Sequence, residues 1–182
     1  MKSPRLAMIY GSVRPGRFCD TIGAWVRAEI ERDASFQLDH IDPGPDWPVI
    51  DEARLRRQLA DADAFVVVTP EYNHSFPGPL KIVIDAASGE WAAKPVGFVS
   101  YGGVSGGLRA VEHLRGVFAE LHAVTVRHGI SFHNPWELFD KDGRLTQPER
   151  YCRSMATMLE QLGWWARTLQ AGRQAESYGV AA

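Results

Sequence analysis

Short apolar segments that alternate with amphipathic helical patterns constrain the fold of this 182-residue chain more than any other feature. Residues 6–10 form one such segment, which Gly11 ends. Residues 64–68 form the clearest one, because they are rich in β-branched side chains, carry no charge and stop at Thr69-Pro70. Strands that alternate with helices form parallel sheets covered on both faces by right-handed crossovers. The sequence therefore predicts an α/β domain.

The remaining elements complete a five-stranded sheet. Asp20 is predicted to cap a first helix, and a turn is expected at Asp142-Gly143 within the irregular residues 134–146. Five strands in this pattern fit a doubly wound parallel sheet of order 2-1-3-4-5 with helices on both faces, whose ligand crevice lies at the carboxyl ends of the central strands. We expect one domain over 1–174 and a frayed tail over 175–182. The further strands are predicted at 36–41, at 96–101 and from 124, and the further helices at 51–60, 77–88, 107–121 and 148–172.

Composition argues against several function classes. The net charge of -2 disfavours nucleic acid or an anionic membrane as a partner, since either would favour a basic surface. No apolar run reaches the roughly 18 residues of a membrane span, and the N-terminus lacks the apolar core of a signal peptide. Cys19 and Cys152 fit no metal-ligand spacing. We therefore expect no metal site and a cytoplasmic location.

The first loop, residues 11–19, lies between a predicted strand and a helix N-terminus. Free N–H groups and the positive helix end make such a turn an anion site, to which Ser12, Arg14 and Arg17 add a hydroxyl and positive charge. Because Gly16 is followed by Arg and Phe, the loop is not a Walker A motif, and it does not match the dinucleotide G-x-G-x-x-G pattern. The loop is either a phosphate site or a tight turn with two solvated arginines.

Two more loops follow the central strands. The second loop, residues 69–79, contains three prolines, an aromatic pair and the bundle Tyr72-Asn73-His74-Ser75, which suits a platform for a flat ring. The third loop, residues 101–107, contains four glycines, which let backbone approach a ligand closely and leave N–H groups free.

The third loop also offers a rival interpretation. Residues 103–107 match the G-x-S-x-G nucleophile elbow around Ser105, which needs an acid and then a histidine downstream. The last histidine is His133, and the acids that precede it after Ser105, Glu112 and Glu120, fall inside a predicted helix. A serine hydrolase that uses Ser105 is therefore a remote alternative.

Together the three loops resemble the NADPH-dependent FMN reductase family, which includes quinone reductases and azoreductase-like and chromate-reducing members. The matching segments are 11–14, 70–81 with Asp85, 94–103 and 106–110. The resemblance implies a flavodoxin-like domain that binds FMN and passes hydride from NADPH or NADH to a small acceptor: a quinone, an azo or nitro compound, a metal oxyanion or free flavin. Since the flavin carries the hydride, no residue is assigned as a catalytic acid or base.

The resemblance also implies where FMN binds. Its phosphate is expected at the first loop, its isoalloxazine ring and ribityl chain at the second, and its pyrimidine edge at the third. The expected cofactor-binding residues are Gly11, Ser12, Arg14, Arg17, Phe18, Cys19, Pro70, Glu71, Tyr72, Asn73, Ser75, Tyr101, Gly102, Gly103, Ser105 and Gly106.

Several features bear on partners and on rival functions. Two arginines exceed what one phosphate needs, so Arg17 is a candidate contact for the 2′-phosphate of NADPH. The resemblance to the family implies a homodimer or a homotetramer that is a dimer of dimers. Apolar residues at 47–50, at Phe76 and in the helix at 80–87 favour such contacts between subunits. The alternative within the fold is a flavodoxin-type electron carrier without nicotinamide turnover. Such carriers are strongly acidic, whereas this chain is nearly neutral.

Overall fold

A computed structural model of the chain describes residues 3–44 and 47–179. Its strands pair in parallel in the order β2-β1-β3-β4-β5, with a sixth strand also paired to β4, so the predicted sheet order is confirmed. The strands are β1 (Arg5–Tyr10), β2 (Gln37–Ile41), β3 (Ala64–Pro70), β4 (Pro95–Gly102), β5 (Val124–Thr125) and β6 (Ile130–His133).

The predicted fifth strand is split into two pieces along one edge of β4. β5 pairs with the start of β4 and β6 with its end. Between the pieces, the guanidinium of Arg115 donates to the carbonyl oxygens of Val126 (3.0 Å) and Arg127 (3.2 Å), which the interrupted ladder leaves unpaired. Sequence patterning located only the first piece, although β6 is the piece that ends beside the third loop.

Helices cover both faces of the sheet. α1 and α5 pack on one face, and α2, α3 and α4 pack on the other. Every residue of β3 is buried between the two layers, as its charge-free sequence predicts. No helix of the described residues is long and apolar enough to span a membrane. The helices are α1 (Cys19–Asp33), α2 (Glu52–Asp61), α3 (Gly78–Asp85), α4 (Leu108–Glu120) and α5 (Glu149–Ala175).

Several helix ends differ from the sequence prediction. The N-cap of α1 is Phe18, without a side-chain cap, so the prediction that Asp20 caps this helix was wrong. α3 ends at Asp85, short of the predicted residue 88, and a separate 3-10 turn follows at Gly89–Trp91. α5 runs on to Ala175, where the frayed tail was predicted; residues 180–182 of that tail, like Pro45 of the loop before α2, lie outside the described residues.

Most of the apolar residues of α3 pack on its own sheet. Leu80, Val83 and Ile84 are fully buried, whereas Ile82 is 52% exposed. The excess of apolar residues in this helix therefore reflects burial within the subunit, and only Ile82 presents a large apolar side chain to the surface.

Lys94 is a buried cation that directly precedes the first residue of β4. Its Nζ donates to the carbonyl oxygens of Leu59 (2.8 Å) and Ala60 (2.9 Å), in the last turn of α2, where carbonyls lack helical partners. Burial lowers the pKa of Lys94 to about 8. The amine thus stabilises the end of α2 at the expense of its own hydration.

Candidate functional site

The three loops meet at the carboxyl ends of β1, β3 and β4. The N–H of Gly11 donates to the carbonyl oxygen of Val68 at 2.8 Å, and a Cβ on Gly11 would lie 2.9 Å from that oxygen, so only glycine allows this approach. The hydroxyls of Ser12 and Tyr72 are 2.8 Å apart and join the first loop to the second. The N–H of Glu71 donates to the carbonyl oxygen of Tyr101 at 3.0 Å and joins the second loop to the third.

The first loop presents backbone donors beside the N-terminus of α1. Ser12 is fully buried, and its Oγ accepts from the N–H of Arg14 at 3.4 Å. Within the described part of the chain, the N–H groups of Val13, Gly16 and Phe18 donate to no protein acceptor. Unpaired donors at the positive end of a helix form an anion site.

The two arginines of the first loop have different surroundings. The guanidinium carbon of Arg14 lies 3.6 Å from the centroid of the Tyr72 ring, so the exposed side chain stacks on the second loop. Among the described residues Arg14 has no carboxylate partner. Its charge is free to meet an anion.

Arg17, by contrast, is enclosed by acidic groups. Its Nε donates to Asp20 at 2.8 Å, and its terminal nitrogens donate to both oxygens of Asp42 at 2.8 and 2.5 Å and to the carbonyl oxygen of Ser12. The hydrogen bond with Asp42 is the main cause that raises the pKa of Arg17 above its ordinary value. Four of its five N–H donors are occupied within the protein. Most of the hydrogen-bonding capacity of this guanidinium is used within the protein, which disfavours a direct contact of Arg17 with FMN or with the 2′-phosphate of NADPH. The assignment of Arg17 to the site stays a prediction.

Three of the expected site residues direct their side chains into the core. Phe18 packs edge-on against Phe139 with ring centroids 5.7 Å apart. Cys19 is fully buried, and its Sγ donates to the carbonyl oxygen of Val68 at 3.6 Å; burial raises the pKa of this thiol. Tyr101 is 6% exposed. These residues shape the crevice through backbone and packing.

The second loop is a tight hairpin turn. Tyr72 and Ser75 exchange backbone hydrogen bonds of 2.8 and 3.0 Å, and the two residues between them, Asn73 and His74, have φ of 50° and 68°. Positive φ at both central positions is the geometry of a type I′ turn. The Oγ of Ser75 lies 2.9 Å from Nδ1 of His113 in α4, which holds the turn against the helix.

The third loop is held by side chains from β4 and β6. The carbonyl oxygen of Gly106 accepts from Ser100 Oγ (2.9 Å) and from Ser131 Oγ (2.8 Å), and Nδ1 of His133 lies 2.8 Å from the carbonyl oxygen of Val104. Sequence reasoning missed Ser131 and His133, because it did not locate β6. The predicted strand order contained a usable signal, because the fifth strand lies next to β4. The end of a full-length fifth strand is therefore expected beside the loop that follows β4.

The third loop presents several consecutive backbone N–H groups that are not used within the protein. In the described residues the N–H groups of Gly103, Val104 and Ser105 donate to no protein acceptor. A Cβ on Gly103 would have only one neighbour within 4 Å, Asn134 Oδ1 at 3.8 Å, so this position borders open space. Successive unpaired N–H groups of this kind form a concave site for carbonyl or anionic oxygens.

The side chain of Glu71 lies beside this row of N–H groups and is only 7% exposed. Its carboxylate accepts from the side chain of Arg109 at 2.8 Å and from the backbone N–H of Arg109 at 3.1 Å. The carboxylate therefore serves the start of α4.

The hydrolase alternative is not supported by the geometry around Ser105. The Oγ of Ser105 accepts from the N–H of Gly107 at 3.3 Å. His133 is bonded to the carbonyl of Val104 instead, and no histidine of the described residues is hydrogen-bonded to Ser105. A serine nucleophile needs such a base. The described residues also contain no group of three or more His, Cys, Asp or Glu side chains that could hold a metal ion.

Sequence comparison identifies similar proteins along most of the chain. The family model for NADPH-dependent FMN reductase matches residues 4–137. The chain is 37% identical over 123 residues to an NAD(P)H-dependent FMN reductase of Schizosaccharomyces pombe, an alignment that spans 58% of this chain and 61% of that protein. It is 34% identical over 196 residues to probable NADPH:quinone oxidoreductase 2 of Oryza sativa subsp. japonica, which spans 97% and 95%.

A solved structure shows the same fold. FerB, a flavoenzyme NAD(P)H:(acceptor) oxidoreductase from Paracoccus denitrificans, superposes with a TM-score of 0.72 at 22% identity and covers 91% of this chain and 98% of its own. At this identity the likeness concerns the fold.

Proposed function

The chain belongs to the NADPH-dependent FMN reductase family and is an FMN-dependent NAD(P)H oxidoreductase, and we propose that its acceptor is a small quinone. Bound FMN supplies the redox chemistry, because it takes up two electrons from a nicotinamide and passes them to the acceptor. The residues of this chain bind and orient the participants and provide fixed electrostatics around the ring.

The first loop provides the proposed phosphate site, and its donor set fits the group. The unpaired N–H groups of Val13, Gly16 and Phe18 and the N-terminus of α1 favour a dianion. Arg14 adds a guanidinium that is stacked on Tyr72 and has no carboxylate partner among residues 3–44 and 47–179. This combination of unpaired donors and an arginine without a carboxylate partner in the described ranges is the observation that carries the assignment.

The second and third loops provide the proposed ring site. The N–H groups of Gly103, Val104 and Ser105 are suited to the carbonyl oxygens of a pyrimidine edge, and they remain in place because Ser100, Ser131 and His133 hold the loop. Donors that are fixed in advance stabilise negative charge on the ring without reorganising.

Exposed apolar side chains favour a quinone as acceptor. Val104 is 91% exposed, Leu108 51% and Trp136 58%. Val104 lies in the third loop, Leu108 directly follows it, and Trp136 lies in a 3-10 turn shortly after β6. We call these three residues the apolar rim. A flat apolar molecule can pack against such side chains, whereas a metal oxyanion would need positive charge. The rice relative is named as a quinone oxidoreductase, which agrees with this choice.

We further propose a single domain over residues 1–174 that acts as a homodimer or a dimer of dimers in the cytoplasm. The apolar rim exposes three large apolar side chains, and a neighbouring subunit that covered part of it would exclude water from the ring. Both cysteines are free thiols, which suits a reducing compartment.

The direct test is binding followed by turnover. Purified apoprotein is titrated with FMN and with riboflavin, and NADPH oxidation by the FMN-loaded protein is then followed with and without a benzoquinone. We expect FMN to bind more tightly than riboflavin and the quinone to accelerate NADPH oxidation. Equal affinities for FMN and riboflavin would contradict the phosphate site. A rate of NADPH oxidation that does not depend on the benzoquinone would contradict the proposed acceptor.

A further inference from the structure

Glu71 places a buried carboxylate between the second loop and the start of α4. Oε1 accepts from a terminal nitrogen of Arg109 at 2.8 Å, and Oε2 accepts from the backbone N–H of Arg109 at 3.1 Å. The side chain of Glu71 is 7% exposed and that of Arg109 is 47% exposed. The pair therefore has a buried anionic partner and a cationic partner that reaches solvent.

The start of α4 needs this carboxylate. Its N-cap is Gly107, which has no side chain to accept from the first N–H groups of the helix. A Cβ at Gly107 would lie 2.7 Å from the backbone nitrogen of Tyr101, and φ is 85°, so serine or aspartate cannot replace the glycine without strain. Glu71 supplies the missing cap from another loop, because its Oε2 accepts from the N–H of Arg109 in the first turn of α4.

The carboxylate is an anion at neutral pH. Burial by itself raises the pKa of Glu71, but the nearby Ser105 side chain and the hydrogen bonds and positive charge of Arg109 outweigh burial, and the net shift is downward. A buried negative charge thus lies against the loop whose N–H groups face the proposed pyrimidine edge. Reduction places negative charge on that edge of the ring, and a neighbouring anion without a counter-charge disfavours the reduced state.

We propose that Arg109 is a positioning residue that, through its ion pair with Glu71, sets the reduction potential of bound FMN. This inference rests on the FMN site proposed above. Arg109 offsets the charge of Glu71, while Glu71 holds the end of the third loop through the start of α4. The pair lets a buried carboxylate fix the loop without opposing reduction of the ring.

Substitutions that remove the positive charge of Arg109 and the negative charge of Glu71 separately distinguish this electrostatic role from a structural one. Arg109→Gln leaves the anion of Glu71 without its counter-charge, so reduced FMN should bind less tightly relative to oxidised FMN. Glu71→Gln keeps a side-chain oxygen that can accept from the helix N–H but leaves the cation of Arg109, so the relative affinity should change in the other direction. The double variant has neither charge and should return close to the wild-type value.

The experiment is an anaerobic dye-coupled redox titration of FMN bound to each variant. We expect the ratio of affinities for reduced and oxidised FMN to fall about tenfold in Arg109→Gln and to rise about tenfold in Glu71→Gln, which corresponds to about 30 mV each for a two-electron couple. The shift in Arg109→Gln should decrease at high salt, because the guanidinium is half exposed. Arg27→Gln is the matched control, since it breaks the exposed Arg27–Glu31 pair in α1 and should leave the potential unchanged.

Shifts of both single variants in the same direction, or unchanged potentials with FMN bound, would overturn the inference and leave the FMN site intact. A wild-type protein that does not bind FMN would instead remove the proposed function itself. Arg109→Lys keeps the charge and should retain the wild-type potential, which tests the idea even where a glutamine variant folds poorly. Thermal unfolding of each apoprotein identifies such a variant independently of FMN.

Discussion

The guanidinium of Arg17 and the carboxylate of Asp42 form a two-point ion pair that ties the first loop to the end of β2. The two contacts measure 2.8 and 2.5 Å, and the Arg17 side chain is 9% exposed. Arg17 also donates to the carbonyl of Ser12, so the pair fixes the backbone that carries the proposed phosphate donors.

Arg17→Ala should therefore act on stability and on FMN binding more than on nicotinamide choice. Removing one partner leaves the Asp42 carboxylate without its cation, and we expect a loss of about 2 kcal/mol in the free energy of unfolding. The values of kcat/KM for NADPH and NADH should fall by the same factor. Denaturant unfolding and steady-state kinetics measure both effects. A fall confined to NADPH would restore the 2′-phosphate role for Arg17, and Arg27→Ala, which breaks an exposed pair, should change stability by less than about 0.5 kcal/mol.

Arg14→Ala should act on the phosphate of FMN. A charge-assisted hydrogen bond contributes about 1.5–3 kcal/mol, so the affinity for FMN should fall about 10- to 100-fold, while the affinity for riboflavin should not change. Because Arg14 is exposed, the unfolding free energy of the apoprotein should stay close to the wild-type value. Fluorescence titration with both ligands is the measurement. An equal loss for FMN and riboflavin would show that Arg14 acts through its stack on Tyr72 and not through the phosphate.

Sequence patterning predicted the sheet order and the meeting of the three loops, because burial of whole strands such as β3 leaves a strong hydrophobic signal. It could not distinguish Arg14 from Arg17, since the partner of Arg17 is Asp42, far along the chain and brought near only by the pairing of β1 with β2. The cap of α4 by Glu71 was hidden for the same reason. β6 was missed because its four residues follow an interruption that breaks the apolar run.

Lys94 should make the free energy of unfolding increase as the pH rises into the alkaline range. Its pKa is about 8 in the folded protein, against an unfolded value of 10.5, so between these values the unfolded chain binds more protons and stability rises with pH. Relative to Lys94→Met, which lacks the group, the wild type should gain about 2 kcal/mol between roughly pH 7 and pH 10. Urea unfolding of both proteins at several pH values measures the difference. A constant difference across this range would mean that the buried amine keeps an ordinary pKa.

Assembly of the subunits is tested by mass and by two surface variants. Light scattering after size-exclusion chromatography should give at least twice the chain mass of 20.2 kDa. Leu108→Glu places a charge in the apolar rim at the first position of α4, where an acidic residue favours the helix, so it should split an interface there without unfolding the subunit. Ile82→Glu is the matched variant on α3, where Ile82 is the large apolar side chain that is exposed. The variant that lowers the mass identifies which surface is shared between subunits. A wild-type protein with the mass of one chain and full quinone-dependent NADPH oxidation would show that one subunit completes the site and that the proposed dimer is wrong.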